Sequence, residues 1–207
     1  MTTRYMLRTT SPDGTSHGGF VWPESGPVSA PDWKPTANCG NGLHGLLDGV
    51  GAGSLLSWEP NARWLVVAVD DATVVDLGGK VKVPSGEVVF CGDRLGATAW
   101  LTEHGSAHLP VVGAVRSAGD GGTATAGDRG TATAGYGGTA TAGDRGTATA
   151  GDRGTATAGD RGVLSIIFYD KARGLYIPKI ATTDGDLTPG LAYRLDDAGL
   201  FVPVVTA

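Results

Sequence analysis

Cysteine is scarce in this 207-residue chain: Cys39 and Cys91 are the only two. Neither belongs to a Cys-x-x-Cys pair or to the His/Cys spacing of a zinc site. Residues 1–8 carry charge but lack the apolar core of an export signal. Both thiols are therefore expected free and buried, in a cytoplasmic protein. Positive charge is thin as well. Sixteen Lys and Arg face 21 Asp and Glu, giving a net charge of −5 with no basic cluster, so no nucleic-acid partner is expected. No stretch reaches the roughly 18–20 apolar residues of a membrane helix, and no membrane partner is expected either.

What the chain has in excess is glycine, 35 residues, alongside 41% hydrophobic residues. That pairing favours short apolar strands joined by tight turns. It also has a repeat. Gly122-Thr-Ala-Thr-Ala-Gly-Asp-Arg129 recurs at 130, 138, 146 and 154, with Tyr136-Gly137 replacing Asp-Arg once. Degenerate copies flank the array at 114–121 and from Val163, where Val-Leu-Ser-Ile replaces Thr-Ala-Thr-Ala.

Thr-Ala-Thr-Ala alternates with period two and is rich in a β-branched residue, so it reads as a strand. Gly-Asp-Arg-Gly reads as a turn in which glycine supplies positive φ and aspartate bonds its own backbone. An isolated octad buries only alanine methyls. Stacked octads pair their backbone groups with the rungs above and below. Alanines such as Ala124 and Ala126 then face a narrow interior and the threonines face outward. The chain must reverse to close a coil, which favours sixteen residues per coil, with eight as the alternative. Asp128 and Arg129, with their copies, suggest a salt-bridged, solvated edge. The two open ends of such a stack predict caps.

The segment Ala134-Gly-Tyr-Gly-Gly-Thr-Ala-Thr-Ala142 resembles the octapeptide repeats of bacterial ice-nucleation proteins, with Gly138 where serine is usual. The resemblance implies a β-solenoid whose outward T-x-T rows order water. It places Thr123 and Thr125, Thr131 and Thr133, Thr139 and Thr141, Thr147 and Thr149, and Thr155 and Thr157 in those rows. Tyr136 falls where the family has a tyrosine rung that aids association. Five octads make only about three coils, and one tyrosine is not a ladder. A rigid spacer or self-association surface therefore ranks ahead of ice binding.

Residues 1–112 hold all five tryptophans and both cysteines. Strands are expected at 5–8, 19–22, 64–69, 73–77, 81–83 and 87–90, and short helices at 42–47 and 93–101. Ser16-His-Gly-Gly-Phe-Val-Trp-Pro23, Cys39-Gly-Asn-Gly-Leu-His44 and Asp76-Leu-Gly-Gly-Lys80 resemble an uncharacterised bacterial and phage domain family, some of whose members carry similar arrays. That resemblance implies no activity. Cys39–His44 lacks the Lys-Ser/Thr of a phosphate loop. Arg4, Tyr5, His44 and Glu87 resemble, distantly, the Arg or His, aromatic platform and late Glu of ADP-ribosyltransferases. His104 and His108 lie four apart, but Gly105 and Pro110 argue against a helix and no third ligand is evident, so no metal and no cofactor are expected.

Residues 163–207 read as an antiparallel meander with hairpin turns at Asp170–Gly174 and Asp196–Gly199. The expected architecture is mostly β. It comprises an N-terminal α+β domain (1–112), a short parallel β-solenoid (113–162) and a C-terminal antiparallel β cap (163–207). Three functions are carried forward in order. The first is a non-enzymatic structural or interaction protein, forming a homo-oligomer through the solenoid. The second is an ice- or ordered-water-binding protein. The third is an ADP-ribosyltransferase-like enzyme.

Overall fold

An uninterrupted apolar run such as Trp64-Leu-Val-Val-Ala-Val69 suits a strand covered on both faces. The computed structural model describes residues 2–204 and places this run at the centre of a sheet. The chain divides into two units, Met1–Val111 and Val112–Ala207.

In the first unit seven strands are β1 (Thr3–Thr10), β2 (Gly26–Ser29), β3 (Leu43–Leu47), β4 (Arg63–Asp70), β5 (Val75–Asp76), β6 (Val81–Val83) and β7 (Ser85–Gly92). They form one sheet in the order β2-β7-β4-β1-β3-β6-β5, with every pair antiparallel. Met6 and Leu7, adjacent on β1, are both fully buried, which requires cover on both sides. Met6, Leu65, Val67 and Val83 pack with Trp22 and Val28 in one cluster. Helix α1 (Arg94–Leu101) follows β7, and its Ala97 and Leu101 are fully buried. Asp93 caps it by accepting the Gly96 N–H at 2.8 Å.

Several expectations change here. Residues 43–47 form a strand, not a helix. Gly45 lies so close to β1 that a Cβ there would collide with Met6 and the Leu7 carbonyl, a close approach only a strand interior with no side chain permits. Residues 17–19 form a 3-10 turn, leaving only a Thr15–Val21 bridge where a strand was expected. Past α1 the chain continues as a π-helical turn (Thr102–Ser106) until Gly105 at φ 115° breaks it. Both cysteines are free, but neither is fully buried: Cys39 is exposed beside Lys80 and Cys91 is half-buried.

The second unit is built on the repeat. Its strands are β8 (Val115–Ala118), β9 (Thr123–Thr125), β10 (Thr131–Ala134), β11 (Thr139–Ala142), β12 (Thr147–Ala150) and β13 (Thr155–Ala158). Thr131 pairs in parallel with Thr147 and Thr139 with Thr155, so one coil is sixteen residues. Even- and odd-numbered strands form opposite sheets. β14 (Val163–Asp170) and β15 (Leu175–Thr182) extend the first, giving β8-β10-β12-β14-β15. β16 (Ala192–Leu195) and β17 (Phe201–Pro203) extend the second, giving β9-β11-β13-β16-β17. The direction of pairing changes from parallel to antiparallel at β14–β15 and β13–β16.

The ten array alanines are at most 3% exposed and form the core of the stack. An alanine methyl contributes on the order of 0.8 kcal/mol, so the thin core relies on repetition. At the last rungs Leu164 and Ile166 occupy the alanine registers of Ala148 and Ala150 and are fully buried. Leu187, Leu195 and Phe201 pack against this wider end, beside buried Tyr193.

Candidate functional site

The turns decide how flat the threonine faces are. Asp120, Asp128, Asp144 and Asp152 each accept, through Oδ1, a backbone N–H one coil further on: those of Tyr136, Asp144, Asp160 and Tyr169. The distances run from 2.8 to 3.3 Å. Backbone bonds such as Arg129 N–H to the Asp144 carbonyl, 2.8 Å, join the same turns. The carboxylates therefore stitch coil to coil, and Arg161 and Asp160 also form an ion pair at 3.7 Å, as a salt-bridged edge would. The positive-φ position of each turn belongs to Arg129, Arg145, Arg153 and Arg161, or to Gly121 and Gly137. The other turn glycines serve a different need. A Cβ on Gly143 would stand 2.6 Å from the Asp128 nitrogen, and one on Gly130 2.6 Å from the Ala126 methyl.

With the coils fixed this way, the outward side chains fall into columns. On one face Thr123, Thr139 and Thr155 form one column and Thr125, Thr141 and Thr157 a second. On the other, Thr131 and Thr147 stand between Val115 and Val163, while Thr133 and Thr149 stand between Ser117 and Ser165. All ten threonines are partly or fully exposed. Ser117 and Ser165 lengthen one hydroxyl column to four rungs. Sequence reasoning passed over them, although each is the third residue of a degenerate TATA segment. Neighbouring rungs lie about 4.8 Å apart, and the two columns of a face about 6.6 Å apart along the strand. No charged residue lies in the TATA strands, since Asp and Arg occupy the turns.

Tyr136 is 48% exposed at the turn between Asp120 and Asp152, with the Arg153 guanidinium 5.9 Å from its ring centre.

The residues considered for enzyme chemistry are not brought together. Arg4 pairs with Asp48 and Asp71. His44 lies on β3 and Glu87 on β7, three strand positions apart, or ~14 Å. His104 stacks on Trp100 at 3.6 Å between ring centres, with Tyr5 edge-on to Trp100, and its Nδ1 lies 2.7 Å from the Trp100 carbonyl. Among the described residues no three His, Cys, Asp or Glu side chains gather as a metal site would require.

Parts of this chain have counterparts among known proteins. Residues 5–103 match the family described as Domain of unknown function (DUF7666). The DUF7666 segment thus covers most of the first unit, where the motifs at 16–23, 39–44 and 76–80 carried the resemblance. The chain is also similar to ice-nucleation proteins. It is 40% identical over 110 residues to the Ice nucleation protein of Xanthomonas campestris pv. translucens, covering 52% of this chain and 7% of that one. Against the Ice nucleation protein of Pseudomonas syringae it is 41% identical over 99 residues, 47% of this chain and 9% of the relative. Against Ice nucleation protein InaU of Pantoea ananas it is 38% identical over 101 residues, 48% and 10%. The matched stretch is thus a tenth or less of each of these relatives. No solved structure matches the chain.

Proposed function

We propose that the second unit is a small ice- or ordered-water-binding module that acts through its T-x-T columns. The observation that carries this reading is the registered, uncharged hydroxyl lattice on both faces of a backbone held rung to rung. Each threonine offers one hydroxyl and one methyl. The hydroxyls hold waters at intervals set by the backbone, and the methyls limit competing hydrogen bonds. Fixing a water costs up to about 2 kcal/mol of entropy. A rigid template removes the additional cost of ordering the protein side, because β-branched threonine is already restricted at χ1. The resemblance to ice-nucleation proteins supports the reading.

The faces are short, two to four rungs, so the module holds a small patch of ordered water. In this reading β14–β17 cap the stack. Their large apolar residues cover the last alanines, and Thr183 closes the final turn by accepting the Gly162 N–H at 2.8 Å and donating to the Gly159 carbonyl at 2.6 Å.

The test is thermal hysteresis and droplet freezing of the full chain against a Thr131→Lys, Thr141→Lys, Thr149→Lys variant with matched circular dichroism. Loss of hysteresis and of ice-crystal shaping in the variant is expected. Identical freezing behaviour of the two proteins leaves the solenoid as a rigid spacer or association surface.

A further inference from the structure

A different feature lies in the first unit. Arg8 on β1, His44 on β3 and Lys80 just before β6 line one pocket of about 100 Å³, closed on another side by Leu55 and Leu56. No Asp or Glu lines it. Arg8 donates to two backbone carbonyls, His44 at 3.1 Å and Thr9 at 3.3 Å, and lies 4.1 Å over the Trp22 ring. Lys80 donates to the Cys39 thiol at 3.1 Å. Neither cation forms an ion pair with a carboxylate among the described residues. Behind them Lys82 is fully buried and fastens the 38–40 backbone, donating to the carbonyls of Asn38 at 2.9 Å and Gly40 at 3.0 Å.

Partly buried cations ordinarily acquire a carboxylate or remain in water. Here Arg8 and Lys80 line the pocket with His44, and Lys82 stands opposite His44 in the β3–β6 register, in a protein of net charge −5. Burial, followed by the charges of Lys80, Arg8 and Lys82, holds the His44 imidazole below its ordinary pKa. Burial also lowers Arg8 to about 10, and the Lys80 ammonium lowers the Cys39 thiol. The Gly40 N–H faces His44 Nε2 at 3.4 Å, and the ring also hydrogen-bonds the Gly42 backbone.

We propose that this pocket is a binding site for a small oxyanion, a phosphate or carboxylate group held by Arg8 and Lys80 beside the His44 ring, with a short apolar remainder lying on Leu55 and Leu56. A planar guanidinium and a point-charge ammonium lining one small pocket match an oxyanion's spread acceptors. The pocket's volume suits a single anionic group with a short tail.

The experiment follows the His44 ring resonances of the full chain by NMR at constant pH. Sodium phosphate and sodium butyrate are titrated separately, and sodium chloride at matched ionic strength is the reference. A saturable shift with phosphate, with butyrate or with both is expected, and the pattern tells a phosphoryl from a carboxylate ligand. Bound anion raises the His44 pKa. Arg8→Gln and Lys80→Gln each weaken binding about tenfold or more, as loss of a charge-assisted hydrogen bond does. Lys80 is partly exposed, so the second variant remains informative if the first fails to fold. A response that chloride reproduces, that does not saturate, or that both variants retain unchanged overturns the proposal.

Discussion

Glycine performs two separate tasks in the octad. At Gly121 and Gly137 it takes a left-handed φ that arginine otherwise occupies at the equivalent turn position, at 53–59°. At Gly130, Gly143 and their copies what matters is the missing Cβ. A methyl on Gly143 would approach the Asp128 nitrogen and Oδ1, both at 2.6 Å, and backbone cannot move aside without separating two coils. Gly143→Ala is therefore expected to cost about 2 kcal/mol or more, in the range of overpacked sites, read as a lower thermal midpoint of the second unit. Arg145→Gly should change the midpoint little, because relief of left-handed strain is offset by a more flexible unfolded chain. The octad sequence shows that glycine is needed but not which glycine does which task; that depends on the neighbouring coil, sixteen residues away. Elsewhere His44 gives a pH signature. Its folded pKa lies below the ordinary 6.5, so the unfolded chain binds its proton more readily. Stability from this group is complete above that value and falls as pH drops through it. His44→Gln should flatten the decline in melting temperature between about pH 7 and 5.

At the level of elements, legibility followed periodicity. The TATA strands, the inward alanines and the sixteen-residue coil were readable because strict alternation leaves one way to bury the small side and expose the hydroxyl side. The strand at 43–47 was misread because Gly42 and Gly45 interrupt its pattern, and the reason for Gly45 lies across the sheet at Met6 and Leu7. The aspartate stitching was not legible for the same reason: the acceptor's partner is one coil away. The oxyanion pocket draws on residues 8, 44 and 80, which no local motif unites. The alanine-to-leucine switch at β14 was visible in sequence, and it carries a measurable consequence. Leu164 and Ile166 fill the width that Tyr193, Leu187 and Phe201 impose on the last rung. Leu164→Ala, which merely restores the array consensus, is expected to destabilise the second unit by about 2–5 kcal/mol. A midpoint unchanged in urea would show that the end of the stack needs no wide core.

For the molecule as a whole, the solenoid is the part that repetition allows to be lengthened. Each added coil needs sixteen residues, extends each face by one T-x-T pair and makes the same bonds as the coil before it. A single added octad has a different effect: it would carry β14 and β16 to opposite sheets and break the Ser117–Thr133–Thr149–Ser165 column. Duplicating residues 143–158 should therefore preserve the fold, raise the thermal midpoint and increase thermal hysteresis per molecule. A duplicate of equal length with lysine in place of each added outward threonine should match the gain in length without the gain in hysteresis. The comparison isolates the face from the scaffold, because both insertions keep the alanine core, the turn glycines and the aspartate stitches. Equal hysteresis from the two insertions would mean that water is not reading the hydroxyl columns, and the solenoid would then matter for its rigidity alone.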